Sequence, residues 1–389
     1  MPVDACNLCQ YNALLGQFCG AKLTASQPLR CGSVKIIWGL SNLKRQRATA
    51  GSGLAAGCAL TIGNFDGVHR GHQAMLALLQ NEARHRGVPS CVMTFEPHPR
   101  DYFAALHRKP DLAPARIATL RDKLHELRAC GVDTCVVLPF NHALASMPAA
   151  AFIDEVLLQA LGVRYVLVGD DFKFGAQRQG DYAMIDAAGA RLGFDVARMQ
   201  SYEVRGLRVS SSAVREALAH GRMQDAAALL GRPYSISGHV VHGRKLGRQL
   251  AETTPGAGDG FRTLNLRFAH WKPAASGIFV VQVHGLDDDP HAPPLPGVAN
   301  LGIRPSLDPN DVNGGRVLLE THCLDWPERV QRSLQRALMP GEAYGKIIRV
   351  DLLHKLHDEL KYDGLQSLTA GIAQDCADAR AWLHHHAAH

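Results

Sequence analysis

The sequence predicts an α/β chain of two domains: a parallel, doubly wound sheet covered by helices, then a small antiparallel β-barrel carrying a C-terminal helix. Three observations predict it. Continuous apolar runs alternate with amphipathic stretches from Ala59 to Met199. After Gly231, Arg232 and Pro233 the strand-like segments follow one another directly, separated by Gly and Pro turns. The chain then ends on apolar residues at helical spacing, Leu365, Leu368, Ile372, Cys376 and Ala379.

Taken in order, residues 1–58 are a poorly specified extension. "CNLCQYNALLGQFCG" holds Cys6, Cys9 and Cys19, and a closed zinc site would need Cys31 as its fourth ligand, at poor spacing. No positive leader precedes the apolar part, so it does not read as a signal peptide. "SVKIIWGL" at 33–40 is a candidate strand, and "KRQRATAGSGLAAG" after it reads as a loop. Order is expected from Ala59. "CALTI", "CVMTF" (91–95), "TCVVLPF" (134–140), "RYVLVGD" (164–170) and "FDVARM" (194–199) read as continuous apolar strands, as a sheet covered on both faces requires. Helices are expected at 71–86, 116–130, 149–160 and 180–191. The first domain thus spans 59–231 and the second 232–389, with barrel strands at 236–242, 262–268, 277–284, 297–303, 316–323 and 346–351. The terminal His cluster, from His384, reads as a frayed tail.

Composition narrows the class. The chain has 389 residues, 46% hydrophobic and 20% charged, with a formal charge of +6. The mild basic excess suits anionic small substrates. No apolar run approaches the ~18 residues of a membrane span. Ten scattered Cys in a chain of this length read as reduced, cytoplasmic thiols. Small-molecule substrates are expected, with no nucleic acid, membrane or obligate protein partner.

Chemistry concentrates in "GNFDGVHRGH", 63–72. Gly63, Asn64, Phe65, Asp66 and Gly67 form a turn after the first strand, and Gly71 opens a helix. Backbone N–H groups at a helix start favour an anion. His69 and His72, three apart, can face one side of that start and hydrogen-bond phosphate oxygens. No Lys-Ser or Lys-Thr follows the glycines, so this is not a P-loop. Gly169 and Asp170 follow another strand, where a parallel sheet places its ligand contacts, and Phe172 and Phe174 alternate outward from the same loop.

The turn resembles the HxGH signature of nucleotidylyltransferases, in the variant found in bacterial bifunctional riboflavin kinase/FMN adenylyltransferases (FAD synthetases). The resemblance implies a Rossmann-like first domain in which His69 and His72 bind ATP phosphates and stabilise adenylyl transfer. It also implies that Gly71 lets the turn approach the nucleotide, and that Asn64 and Asp66 hold nucleotide or flavin groups. "RGLRVSSSAVREAL", 205–218, resembles the family's RxSSTxxR segment, with Ser212 where Thr is usual. Ser211 and Ser212 can cap a helix starting near Ala213, with Arg215 closing over phosphates and Arg208 serving similarly. "VGDDFKFG" matches the family's GxDFxFG loop at the transfer site. "TFEPHPRDYF" matches a segment near the flavin, read here as an extended loop fixed by two prolines.

The second half resembles the bacterial flavokinase barrel. "GHVVHGRKLGRQL" matches its glycine-rich opening, implying ATP contacts from Gly243, Lys245 and Gly247. "GFRTLNLRF" stands where the family has PTxN, with Arg262 in place of Pro and an insertion at 251–260 before it. Thr263 and Asn265 keep the polar positions and share a strand face, a geometry for cation and phosphate. The resemblance makes them ligands of Mg2+. It makes Glu320, in "GGRVLLETHCLDW", the base that deprotonates the ribityl hydroxyl of riboflavin. Set among apolar residues, a Glu would have a raised pKa suited to that work. Asp325 is the next candidate. Arg304, in "GVANLGIRPSLD", is a ligand-facing residue of unassigned role. ATP would be the co-substrate of both reactions, and riboflavin, FMN and FAD the flavins handled. Two other readings share these folds: a monofunctional adenylyltransferase whose barrel only binds flavin, and a non-catalytic flavin- or nucleotide-binding regulator.

Overall fold

The computed structural model describes residues 34–49, 51, 53–204, 206–242, 263–267, 272–304, 316–336 and 343–386. Cys6, Cys9, Cys19, Cys31, Gly243, Lys245, Gly247, Arg262 and the 251–260 insertion lie outside them.

The first sheet has six strands: β1 (Lys35–Trp38), β2 (Cys58–Ile62), β3 (Ser90–Glu96), β4 (Thr134–Pro139), β5 (Val163–Gly169) and β6 (Asp195–Met199). Their order is β1-β4-β3-β2-β5-β6, and every pairing is parallel. The apolar runs are continuous because both faces are covered. Leu60, Met93, Val136 and Val166 point into one core, whereas Ala59, Tyr165 and Leu167 point into another with Leu79 and Ala83. The crossover helices include α1 (Leu40–Ala48), α2 (Arg70–His85), α3 (Pro99–Leu106), α4 (Leu120–Ala129), the π-wound α5 (Phe152–Leu161) and α6 (Tyr182–Leu192).

Order therefore starts before Ala59. "KIIW" is an edge strand paired with β4, and "KRQRA" is helical rather than a loop. Its charge pattern hid a single anchor: Leu43 is fully buried, Lys44 and Arg45 face solvent, and Arg47 donates to the carbonyls of Leu54 and Leu161 at 2.9 and 3.0 Å. The extended loop expected over "TFEPHPRDYF" is likewise corrected. Pro99 stands at the start of α3, where its missing N–H costs nothing, and His98 accepts from the Arg100 N–H at 3.1 Å.

A two-stranded ribbon, β7 (Glu203–Val204) and β8 (Leu207–Arg208), precedes α7 (Ser211–Ala219) and α8 (Met223–Leu230). Six antiparallel strands then close a barrel: β9 (Tyr234–Val241), β10 (Thr263–Arg267), β11 (Gly277–His284), β12 (Leu295–Arg304), β13 (Arg316–Cys323) and β14 (Ile347–His357), in the order β10-β13-β12-β11-β14-β9. A helix, α9 (Glu328–Gln335), lies between the last two strands, and α10 (Leu365–His386) ends the described chain. Ala379 of α10 covers Ile278, Val280 and Val298 on the barrel's outer face. The His tail is corrected too: His384 to His386 belong to α10, and the His386 ring stacks on Trp382 at 4.0 Å.

Internal contacts divide the chain into two compact units. The sheet unit holds the described residues up to Pro114 and Lys123–Ser210; the barrel unit holds Ala115–Asp122 and the residues from Ser211 onward. Within the barrel unit, the Arg116 N–H donates to the Lys272 carbonyl at 3.0 Å and the Ser237 N–H to Asp122 at 3.4 Å. Gly231–Pro233 joins α8 to β9 inside this unit. No helix among the described residues is long and apolar enough to cross a membrane. The described cysteines are free thiols.

Candidate active sites

In the sheet, chain order runs from β2 toward β3 and β4 on one side, while β5 and β6 lie on the other. The switch point of such a sheet opens a crevice at the strands' carboxyl ends. The turn after β2 and the loop after β5 both stand there. The turn is strained: Phe65, Gly67 and Val68 have φ of 48°, 81° and 41°. A β-branched residue in the left-handed region is an outlier, costing about 1–3 kcal/mol that its surroundings must offset. They do. Phe65 and Val68 are almost fully buried. Gln73 donates to the Val68 carbonyl at 2.9 Å, and the Gly63 N–H donates to Met93 at 3.0 Å.

That turn delivers the two histidines. His69 caps α2, its Nδ1 accepting from the His72 N–H at 3.3 Å, and the two rings stack with centroids 3.6 Å apart. Gly71 leaves room for this contact, since a Cβ there would press on the His69 ring at 3.2 Å from Nδ1. Phe65 packs against His72 at 4.9 Å. His72 Nδ1 and Arg70 Nε are buried with no hydrogen-bond partner among the described residues. Burial, then the neighbouring His69 and Lys123 charges, holds the His72 imidazole well below its ordinary pKa. Asp66 is buried whereas Asn64 is exposed, so of these two it is the Asn64 side chain that faces outward.

Gly169 ends β5, and Asp170 accepts from Ser201 Oγ at 3.2 Å and lies 3.7 Å from Arg198. The two phenylalanines do not both turn outward. Phe174 is buried against Phe152, and Phe172 stacks on Phe174 at 5.4 Å, because the chain doubles back from Phe174 to Gly180. Arg208 is exposed on β8, opposite Glu203. Ser211 and Ser212 are the first residues of α7 rather than caps before it, and they belong to the barrel unit. So does Arg215, whose Nε donates to the Ala115 carbonyl at 2.7 Å.

In the barrel, pairing sets three side chains in a row. Asn265 on β10 is opposite Glu320 on β13, which is opposite Asn300 on β12. Directly paired residues share a face. Thr263 lies one step along, opposite His322. Burial alternates along β13, with Leu318, Glu320 and His322 half-buried and Leu319 and Thr321 buried, so the row lies on the barrel's outer face. Glu320 therefore has an amide opposite it on each flanking strand, with Leu318 and His322 sharing its face on β13. The Oδ1 atoms of Asn265 and Asn300 are buried with no partner among the described residues. Among those residues no group of three His, Cys, Asp or Glu could hold a metal. A magnesium ion needs no such cage, taking a few protein oxygens and completing its shell with phosphate and water, and the buried Asn265 oxygen fits that use. The Arg304 side chain lies outside the described residues. Asp325 pairs with Arg380 at 3.3 Å, which ties it to α10.

Two family models match the chain: FAD synthetase over residues 53–213 and riboflavin kinase over residues 230–383. The bifunctional riboflavin kinase/FMN adenylyltransferase of Escherichia coli K12 is 41% identical over 350 residues, covering 90% of this chain and 98% of that protein. The chain belongs to the bifunctional riboflavin kinase/FAD synthetase family. The Pseudomonas fluorescens and Haemophilus influenzae proteins of the same description are 40% and 37% identical, each over 90% of this chain and over 97% and 99% of theirs. The crystal structure titled macrolide-efflux protein from Streptococcus pneumoniae superposes with a TM-score of 0.64 at 23% identity, over 90% of this chain and 100% of that one, and so shares the fold.

Two residues absent from the motif reading also stand beside the histidine turn and the barrel row. Lys123 on α4 is buried beneath the turn after β2, with Nζ 3.4 Å from the Asn64 carbonyl. Its place in the sequence marks only a polar position on an amphipathic helix. Asn300 carries no local signal either; strand register alone sets it beside Glu320.

Proposed function

We infer that this chain makes both flavin cofactors: it phosphorylates riboflavin with ATP to FMN and ADP, then adenylylates FMN with ATP to FAD and pyrophosphate. The observation that carries the reading is the presence of two separate polar constellations, a histidine turn on a parallel sheet and an Asn-Glu-Asn row on a barrel, each within its own family match.

In the barrel, Glu320 accepts the ribityl hydroxyl proton as that oxygen attacks the γ-phosphorus and the bond to ADP breaks. Thr263 and Asn265 would hold Mg2+, which would offset phosphate charge. The resemblance assigns ATP phosphate contacts to Gly243, Lys245 and Gly247 and a ligand contact to Arg304. In the sheet unit, an FMN phosphate oxygen attacks the α-phosphorus of ATP and pyrophosphate leaves. His69 and His72 donate to the oxygens that gain charge. The low pKa of His72 supports this role, since an arriving anion raises it and lets the ring take up a proton where negative charge collects. Gly63 and Gly71 keep the backbone clear, Phe65 and Asp66 brace the turn, and Asn64, Gly169, Asp170, Phe172 and Arg208 border the nucleotide and flavin. The same resemblance assigns phosphate contacts to Ser211, Ser212 and Arg215. Free thiols support a reducing, cytoplasmic setting.

Riboflavin and FMN are each supplied separately with ATP and magnesium, and products are separated by chromatography. FMN from the first feed and FAD from the second are expected. A folded protein that makes no FAD from FMN would sink the synthetase half. One that makes FAD but no FMN would reduce the barrel to a flavin-binding module.

A further inference from the structure

We propose that Lys123 is a positioning residue for adenylyl transfer: its buried ammonium clamps the strained turn that presents His69 and His72. The inference rests on the reading of the sheet unit as the FAD-forming site.

Lys123 is 2% exposed, although a lysine is seldom buried without a purpose for its charge. Its Nζ is surrounded by oxygens: Asn64 O at 3.4 Å, Thr94 Oγ1 at 3.2 Å, Phe95 O at 3.3 Å and a Glu96 carboxylate oxygen at 3.8 Å. Three of these belong to the end of β3, and the fourth is the carbonyl immediately before Phe65. Thr94 Oγ1 donates to that same carbonyl at 3.2 Å. The peptide entering the left-handed Phe65 is thus held by two donors, both anchored on the neighbouring strand. Phe65 packs on His72, and Val68, also left-handed, leads directly into His69. Release of the Asn64 carbonyl would let Phe65 relax toward ordinary backbone angles and carry both imidazoles with it. Only an ammonium suits the place: it offers three donors around one compact centre, whereas a guanidinium is planar and larger. The charge is retained for geometry, since a methionine of similar length would pack there without the cost of desolvation.

The test uses the full chain and two variants, Lys123→Met and Lys123→Arg, each assayed for FAD from FMN, for FMN from riboflavin, and for thermal unfolding. Misplacement of reacting groups lowers turnover more than affinity. Lys123→Met is expected to lower kcat for FAD formation by roughly ten- to a hundredfold, with KM for ATP and FMN changed less than about threefold. Lys123→Arg, which keeps the charge but not the fit, is expected to fall between, at a loss of about three- to fivefold. Riboflavin phosphorylation should stay at the wild-type rate in both. A Lys123→Met protein that forms FAD within about twofold of wild type overturns the proposal, as does an equal loss of both activities in a folded protein. Should Lys123→Met not fold, a folded Lys123→Arg within about twofold of wild type overturns it instead. Wild-type protein that makes no FAD refutes the parent reading, which is a different outcome from an active wild type with an indifferent variant.

Discussion

On the roles proposed above, His72 serves FAD formation and Glu320 riboflavin phosphorylation, so substitutions at each should give crossed losses. His72→Ala removes a donor to the developing charge, which costs about 3 kcal/mol or roughly a hundredfold in FAD formation. Riboflavin phosphorylation should survive. Glu320→Gln keeps side-chain size and removes the base, slowing phosphorylation by roughly 10² or more, with FAD still made from supplied FMN. Kinase turnover within about twofold of wild type in Glu320→Gln would refute the base assignment. Titration offers an independent check on His72. Its folded pKa lies below the ordinary value, so as pH falls the unfolded chain takes up its proton first. Its stability contribution is therefore present above pH ~6.5 and lost as pH drops below it. His72→Asn should flatten that acid limb in denaturant melts, and an unchanged limb would place the effect elsewhere. The histidines were legible because a capped helix start and its side chains are contiguous in sequence. Lys123 and Asn300 were not, because packing brings Lys123 under a turn about sixty residues away and strand register alone sets Asn300 beside Glu320.

At the scale of elements, legibility followed periodicity. Strands β9 and β13 largely alternate buried and half-buried residues while β11 is buried from Gly277 to Val281, and the expected segments differ from the observed ones mainly at their ends. Elements with one anchoring residue escaped: α1 buries Leu43 alone, and α3, which buries Ala104, begins with a proline that also reads as part of a loop. The helix α10 was read from its apolar repeat, but not what pins it. His357 on β14 donates from Nε2 to the Asp375 carboxylate on α10, 2.8 Å away, and its Nδ1 donates to the Asp358 carbonyl at 2.7 Å. Burial pulls the His357 pKa down, but the bonds to Asp375 and to that carbonyl outweigh it and leave the pKa raised. A raised histidine pKa means the charged pair stabilises docking fully below pH ~6.5 and loses that contribution as pH rises through the folded value. Amide exchange along α10 should therefore accelerate, beyond its intrinsic pH dependence, as pH rises above neutrality. His357→Gln should remove that excess. Equal pH dependence in wild type and variant would mean the helix is held by packing alone.

At the scale of the whole molecule, the family matches and the contacts divide the chain differently, and the difference has a measurable consequence. The riboflavin kinase match begins at residue 230, yet α7, α8 and Ala115–Asp122 all cluster with the barrel. Met223, Ala226, Leu229 and Leu230 of α8 are buried, and α8 packs on β9 and β14 as well as on α7. A fragment cut at Arg232 would uncover the barrel surface beneath α8. Full burial of a Leu or Met side chain is worth about 1.5–3 kcal/mol, and part of that for Met223, Leu229 and Leu230 belongs to contacts with α7. Residues 211–389 should therefore be more stable than residues 232–389 by at least about 2 kcal/mol. For a fragment of this size that is a Tm difference of roughly 4–8 °C. Both fragments lack the histidine turn, so neither should make FAD. Both keep the Asn265-Glu320-Asn300 row, so the longer should phosphorylate riboflavin and the shorter should do so only while folded. Calorimetry of the two fragments with kinase assays below each melting point decides the matter. Equal Tm values would show that α8 adds nothing to the barrel. A shorter fragment that is inactive though folded would mean that α7 or α8 contributes to the kinase site itself.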